Sequence, residues 1–200
     1  MKNHEMIDHM FHLQEELNIR IKGTHWRDLN LDWCRAIWTE CGEAMGYIDW
    51  KWWAKAENNI IMTKLELTDI WHFGMSWYLQ RNITPHIQDC AWPGKTDVEV
   101  LEFIASQAIT RCGFPIDTFL MLCERMGMDV PGLYKLYVGK QVLNRFRQDH
   151  GYNKGTYQKI WAVGTCIDED NVHMYHMVKE LDAENVGAQL YDKLDKMYHG

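Results

Sequence analysis

The stretch Met6-Ile7-Asp8-His9-Met10-Phe11-His12-Leu13-Gln14-Glu15-Glu16-Leu17-Asn18-Ile19-Arg20-Ile21 decides the fold class. Its apolar positions Met6, Met10, Leu13, Leu17 and Ile21 recur at three and four residues, the interval that lines side chains along one stripe of a helix. Gly23 ends the pattern, and the same period returns further on. Asp32 is placed to cap a second helix carrying Trp33, Ile37, Cys41, Ala44 and Ile48, and a third is expected from about Asn58 to Leu79 through Met62, Leu65, Ile70, Phe73 and Trp77. Thr84-Pro85 and Trp92-Pro93-Gly94-Lys95 punctuate the connection beyond it. Thr96 or Asp97 then caps a helix to about Arg111, Phe114 to Met126 forms another, and Leu133 to Gln148 the next. The segment Gly151 to Asn171 reads as a loop, and Val172 to Tyr198 as helical. Strand alternation is scarce, so the expectation is an all-α helical bundle with antiparallel helix pairs. It spans residues 1–200 as a single domain, with a variable helical insertion at about residues 81–130.

Composition narrows the function classes. The 200 residues are 46% apolar and 24% charged, with 4 Pro and 14 Gly, which excludes fibrous and disordered classes and supports a sizeable core. No apolar run approaches the roughly 18 residues of a membrane span, and the N-terminus lacks the basic and apolar regions of a secretory signal. A cytoplasmic protein is expected. The six cysteines form no C-x-x-C pair and read as free thiols. A net charge of −7 with dispersed basic residues argues against a nucleic-acid partner.

Chemistry is concentrated in a few places. Glu40 and Glu43 are three residues apart, as are Glu66 and Asp69, so each pair lies on one side of its helix. Two such pairs on neighbouring antiparallel helices would bring four carboxylates together, the hard oxygen donors that suit Mg²⁺. An acidic pair alone is also what a solvated helix face looks like. Here the neighbours Ala36, Ile37, Ala44, Met62, Leu65, Ile70 and Phe73 embed the carboxylates in apolar stripes, where a metal or cationic partner must offset desolvation. Lys140, Asn144 and Arg147, at offsets of four and three, form one basic stripe suited to phosphate oxygens, or a solvated face. The glycine-punctuated loop directly after it carries Tyr152 and Lys154. Gln14 and Asn18, one turn apart, offer paired amides that can read a base edge. His72 stands one turn beyond Asp69, to orient it, touch substrate or serve the core. Trp50, Trp52 and Trp53 are either core or a stacking platform. P-loop, Rossmann, α/β-hydrolase and zincin motifs are absent.

Four segments occur in order: Arg35-Ala36-Ile37-Trp38-Thr39-Glu40-Cys41-Gly42-Glu43, Trp50-Lys51-Trp52-Trp53, Glu66-Leu67-Thr68-Asp69-Ile70-Trp71-His72-Phe73, and Gly139-Lys140 through Gly151-Tyr152. Together they resemble the dimeric all-α dUTPase family of some bacteria, bacteriophages and kinetoplastids, over about Leu13 to Asn171. The resemblance implies Mg²⁺-dependent hydrolysis of dUTP, and of dUDP, by a cytoplasmic homodimer of a bacterium or phage-infected cell. It implies metal ligands at Glu40, Glu43, Glu66 and Asp69, with Glu40 or Glu43 acting on the attacking water. It further implies phosphate contacts from Lys140, Asn144, Arg147, Tyr152 and Lys154, and a base and sugar pocket from Gln14, Asn18, Trp53, His72 and Phe73. Asn153 stands where the family has Lys, and Glu169-Asp170-Asn171 comes after an unusual Cys166-Ile167-Asp168. Related phage dCTPase-dUTPases share the carboxylates, so a dCTP/dUTP or broader NTP pyrophosphatase is the alternative.

Overall fold

The computed structural model describes residues 1–55 and 58–199. These fall into two compact units, Met1–Val130 and Pro131–Gly200. The fold is all-α: α1 (Asn3–Lys22), α2 (Trp33–Gly46), α3 (Ile60–Gln80), α4 (Asp97–Ile109) and α5 (Ile116–Arg125) build the first unit. The second holds α6 (Val130–Asp149), which starts at the boundary, the strands β1 (Ile160–Val163) and β2 (Cys166–Glu169), and α7 (Asp170–Glu180) and α8 (Val186–His199).

In the first unit α3 is the central helix and packs against α1, α2 and α5. Leu65, Leu67, Ile70, Trp71 and Met75 are all buried, so apolar side chains point inward around much of its circumference. Trp71 stacks on Phe119 of α5, with ring centroids 5.5 Å apart. Helices α2 and α3 are antiparallel. Gln80, at the end of α3, accepts from the Leu31 N–H and the Trp33 indole, while at the other end Asn59 N donates to Tyr47 O at 3.0 Å. The caps are those the residue types favour: Asp32 accepts from Arg35 N, Asn59 from Met62 N, and Thr96 and Glu99 form a capping box.

Helix α1 buries a different face from the one its leucines mark. Met6, Met10, Gln14 and Asn18 are buried, Leu13 and Leu17 are only half-buried, and Ile21 is exposed. The buried row keeps a strict four-residue spacing because the two amides find polar partners on α3.

In the second unit α6 comes close to α7 and α8. A Cβ built on Gly139 would lie 2.8 Å from Met174 Sδ and Val178 Cγ2, so only glycine permits this approach. Three sequence expectations are corrected here. Helix α6 starts at Val130 rather than Leu133, because Pro131 falls in the first turn, where its missing N–H costs nothing. The segment expected as a loop contains a short helical turn at Tyr152–Lys154 and an antiparallel hairpin pairing Ile160 with Glu169 and Val163 with Cys166. Gly164, at φ 59°, opens the two-residue turn between the strands. The region expected as helical from Val172 to Tyr198 is two helices, α7 and α8, interrupted by a turn in which Asn185 N donates to Asp182 O.

Candidate active site

The antiparallel pairing of α2 and α3 sets Glu40 and Glu43 opposite Glu66. One ligand oxygen from each lies within 4.8 Å of the others. Asp69 stands one turn further along α3 and is not among those three. Glu66 is buried, Glu40 half-buried and Glu43 exposed, so the group opens to solvent on one side. At 4.8 Å each like-charged pair repels by roughly 3.5 kcal/mol at an effective dielectric of 20. A divalent cation among them cancels that repulsion, and all-oxygen donors are those Mg²⁺ prefers, so the residues fit that ion. Behind them, burial and the charge of Glu40 push the Cys41 thiol up to about 12, which keeps it neutral and inert. At the start of α2, hydrogen bonds from Arg111 hold the Asp32 carboxyl below its ordinary range despite opposing desolvation, fixing the helix that carries Glu40 and Glu43.

A second polar group lies between α1 and α3. Gln14 Nε2 donates to Asn18 Oδ1 at 3.1 Å and to Ser76 Oγ at 3.0 Å, and Asn18 Nδ2 donates to Ser76 Oγ at 3.1 Å. Ser76 in turn donates to the His72 carbonyl at 2.9 Å. His72 Nδ1 is 2.9 Å from Gln14 Oε1, an acceptor only, so the proton sits on Nδ1. All four residues are buried. Sequence reasoning missed Ser76, whose one signal is its position four residues after His72 on the same helix. Phe73 is stacked on Trp33, with centroids 6.1 Å apart. Trp53 lies in an exposed turn, edge-on to both Trp50 and Trp52.

In the second unit Lys140 and Arg147 are buried and Asn144 half-buried on α6. Arg147 is already engaged: its Nε donates to Asp170 Oδ2 at 2.8 Å and its NH2 to Asp170 Oδ1 at 2.7 Å. Burial works against the Arg147 charge, but these bonds outweigh it and raise its pKa. The Tyr157 hydroxyl also donates to Asp170 Oδ2, at 2.8 Å, and burial together with that carboxylate pushes the phenol far above its usual range. Only the Arg147 NH1 faces elsewhere, at 3.4 Å from Asn144 Oδ1. The pairing of Asp170 and Tyr157 with Arg147 escaped the sequence reading, because nothing local marks a carboxylate 23 residues away as a partner of Arg147. Tyr152 and Lys154 are exposed, and Lys159 Nζ sits 5.6 Å over the Tyr152 ring. Gly151, at φ 90°, leads into this turn, and a Cβ there would lie 2.2 Å from Thr156 Oγ1.

A family model described as dUTPase matches residues 6–152, well over half of the chain. The chain belongs to the dUTPase family. Its activity is hydrolysis of dUTP, as a dUTP diphosphatase. The matched span of this dUTPase includes the acidic group, the Gln14–Asn18–His72–Ser76 network and the α6 stripe, while Asp170 and the hairpin lie beyond it. No curated protein matches the chain. A cleft of 750 Å³ elsewhere in the first unit is lined by Asp8, Asp89, Asp117 and Glu124, a charge that repels a polyphosphate, and by none of the candidate residues. No helix among the described residues is long and apolar enough to cross a membrane.

Proposed function

We propose that this dUTPase hydrolyses dUTP, and also dUDP, in a Mg²⁺-dependent reaction centred on Glu40, Glu43 and Glu66, with Asp69 completing the ligand set. The convergence of three carboxylates across the α2–α3 pair carries this reading. When bound, Mg²⁺ supplies neutralisation of the phosphate charge and lowers the pKa of a coordinated water. Glu40 or Glu43 accepts the proton of the water that attacks the α-phosphorus. Lys140, Asn144 and Arg147 Nη1 donate to phosphate oxygens, Nη1 exchanging its long contact with Asn144 for a phosphate oxygen, since Asp170 holds the other two Arg147 nitrogens. Tyr152 and Lys154, exposed beside Gly151, add donors from the loop. The amides of Gln14 and Asn18, oriented by Ser76 and His72, read the base, with Phe73 and Trp53 supplying apolar surface for base and sugar.

The same reading includes a homodimer, supported by the half-buried Leu13 and Leu17 and the exposed Ile19 and Ile21 along α1, an apolar strip that a second copy would cover. A reducing cytoplasm, bacterial or phage-infected, suits six cysteines that are all unpaired thiols.

The test is hydrolysis of dUTP, dUDP, dCTP and dTTP with Mg²⁺, with product identification, on the wild type and Glu43→Gln. Glu43 is exposed, so the isosteric change leaves packing intact while removing a ligand charge. The variant is expected to lose about 100-fold or more in rate. A rate above a tenth of wild type removes Glu43 from the chemistry. Equal kcat/KM for dUTP and dCTP puts the dCTP/dUTP alternative first.

A further inference from the structure

The second unit contains a cluster that hydrolysis of dUTP does not use. His150, at the end of α6, faces Asp195 and His199, which are four residues apart on α8. His150 Nε2 and His199 Nε2 each lie 3.5 Å from the same oxygen, Asp195 Oδ1. One ligand atom from each of the three falls within 4.8 Å of the others. We propose that His150, Asp195 and His199 bind a divalent transition-metal ion, with Zn²⁺ the ion their donors suit best.

Three observations carry this. The first is distance. Hydrogen bonds between nitrogen and oxygen cluster near 2.9 Å, so 3.5 Å is long for two direct bonds to one oxygen. Donors held at about 2.0–2.1 Å from a tetrahedral Zn²⁺ are roughly 3.3–3.4 Å from one another, which matches both separations. The second is the tautomer of His150. Its Nδ1 is 2.9 Å from the Phe146 carbonyl oxygen, which only accepts, so Nδ1 carries a proton, and in the neutral ring the lone pair is the one on Nε2, which faces the cluster. A backbone carbonyl bound to the distal nitrogen is the support that orients metal-binding imidazoles, and the stack of His150 on Phe146, 3.9 Å between centroids, holds the ring in place. The third is donor type. Two imidazoles and one carboxylate select Zn²⁺, Co²⁺ or Ni²⁺ over Mg²⁺, which distinguishes this cluster from the all-oxygen group on α2 and α3.

Asp195 and His199 are half-exposed, at 49% and 59%, so a bound ion keeps an open position for water. Its effect is to tie the end of α6 to α8. Asp195 and His199 on α8 lie outside the span matched by the dUTPase family, and His150 lies just inside it.

Co²⁺ titration in millimolar Mg²⁺, which occupies the carboxylate group, tests the proposal on the full chain. The wild type is expected to develop the strong visible absorption of four-coordinate Co²⁺, saturating at one equivalent and displaced by Zn²⁺. Zn²⁺ is also expected to raise the Tm. His199→Ala and Asp195→Asn change half-exposed side chains on α8 and leave the fold intact by circular dichroism. Each is expected to weaken the metal by at least about tenfold and to abolish the Tm increment. No four-coordinate absorption in the wild type, or titrations superimposable among the wild type and both variants, overturns the site and leaves an imidazolium–carboxylate array.

Discussion

Replacing Asp170 by Asn keeps the shape of a fully buried side chain and removes its charge. Asp170 is 0% exposed and accepts from Arg147 Nε, Arg147 NH2, the Tyr157 hydroxyl and the backbone N–H of Asn171, all at 2.7–2.8 Å. In Asp170→Asn the guanidinium remains buried without a counter-charge, and the new amide group presents N–H to donors. Removing one partner of a buried pair costs about 3–5 kcal/mol. For a chain of this length that corresponds to a Tm fall of roughly 6–20 °C, at about 2–4 °C per kcal/mol. Arg147→Ala strands the carboxylate instead and is expected to cost a similar amount.

The assay is urea denaturation followed by circular dichroism, on the wild type, the two single variants and the triple change Arg147→Met, Asp170→Leu, Tyr157→Phe. The triple change removes the pair together with the hydroxyl that would otherwise lose its acceptor, so it should recover most of the single-variant loss. If Arg147 serves phosphate alone, Arg147→Ala and Asp170→Asn will each stay within about 1 kcal/mol of wild type, and the reasoning fails. The outcome also decides how activity is read. A dUTPase weakened by Arg147→Ala has lost the pair that closes α6 onto the start of α7 as well as the phosphate donor proposed above, so its dUTP affinity is measured well below its Tm.

Two further outcomes are expected. Ser76→Ala removes the acceptor of two amide N–H groups and should cost about 1–3 kcal/mol; it should raise KM for dUTP more than it lowers kcat, and an unchanged KM separates this network from the base pocket. Hydrogen bonds from Lys95, and then from Thr96, bring the Glu99 carboxyl down from 4.5 to about 2. A lowered carboxyl stabilises the fold above its unfolded value and loses that contribution as pH falls through the folded one. The Tm gap between wild type and Glu99→Gln should therefore be full at neutral pH and narrow progressively below about 4.5, whereas a gap independent of pH removes the charge from the α4 cap.

The helical fold was legible because its signals are local. Asp32 and Thr96 stand where caps are wanted, and the three-and-four spacing of Ile37, Cys41 and Ala44 marks a buried face on any helix. The hairpin was not legible, since Ile160–Val163 and Cys166–Glu169 are only four residues each and their burial does not alternate. Helix α1 shows why even a clear period can name the wrong face. Its leucines lie beside the buried row, because Gln14 and Asn18 find Ser76 Oγ and His72 Nδ1 on α3, and an amide with partners is as buriable as a leucine.

The same distinction separates the site residues that the sequence yields from those it hides. Glu40, Glu43 and Glu66 are conspicuous because a carboxylate within an apolar stripe conflicts with its surroundings, and the conflict is visible within one turn of helix. Ser76 and Asp170 conflict with nothing local. A serine on a helix and an aspartate at the first position of α7 are both ordinary, and what makes them matter is a partner 58 to 62 residues away in one case and 23 in the other. Period and spacing report which face of an element turns inward; only the packed structure reports which polar groups meet there. Ser76, which orients the amides of Gln14 and Asn18, and Asp170, which leaves Arg147 only Nη1 outside their pair, are therefore of the kind a sequence reading overlooks, and they are where substitutions are expected to alter this dUTPase without touching a candidate site residue.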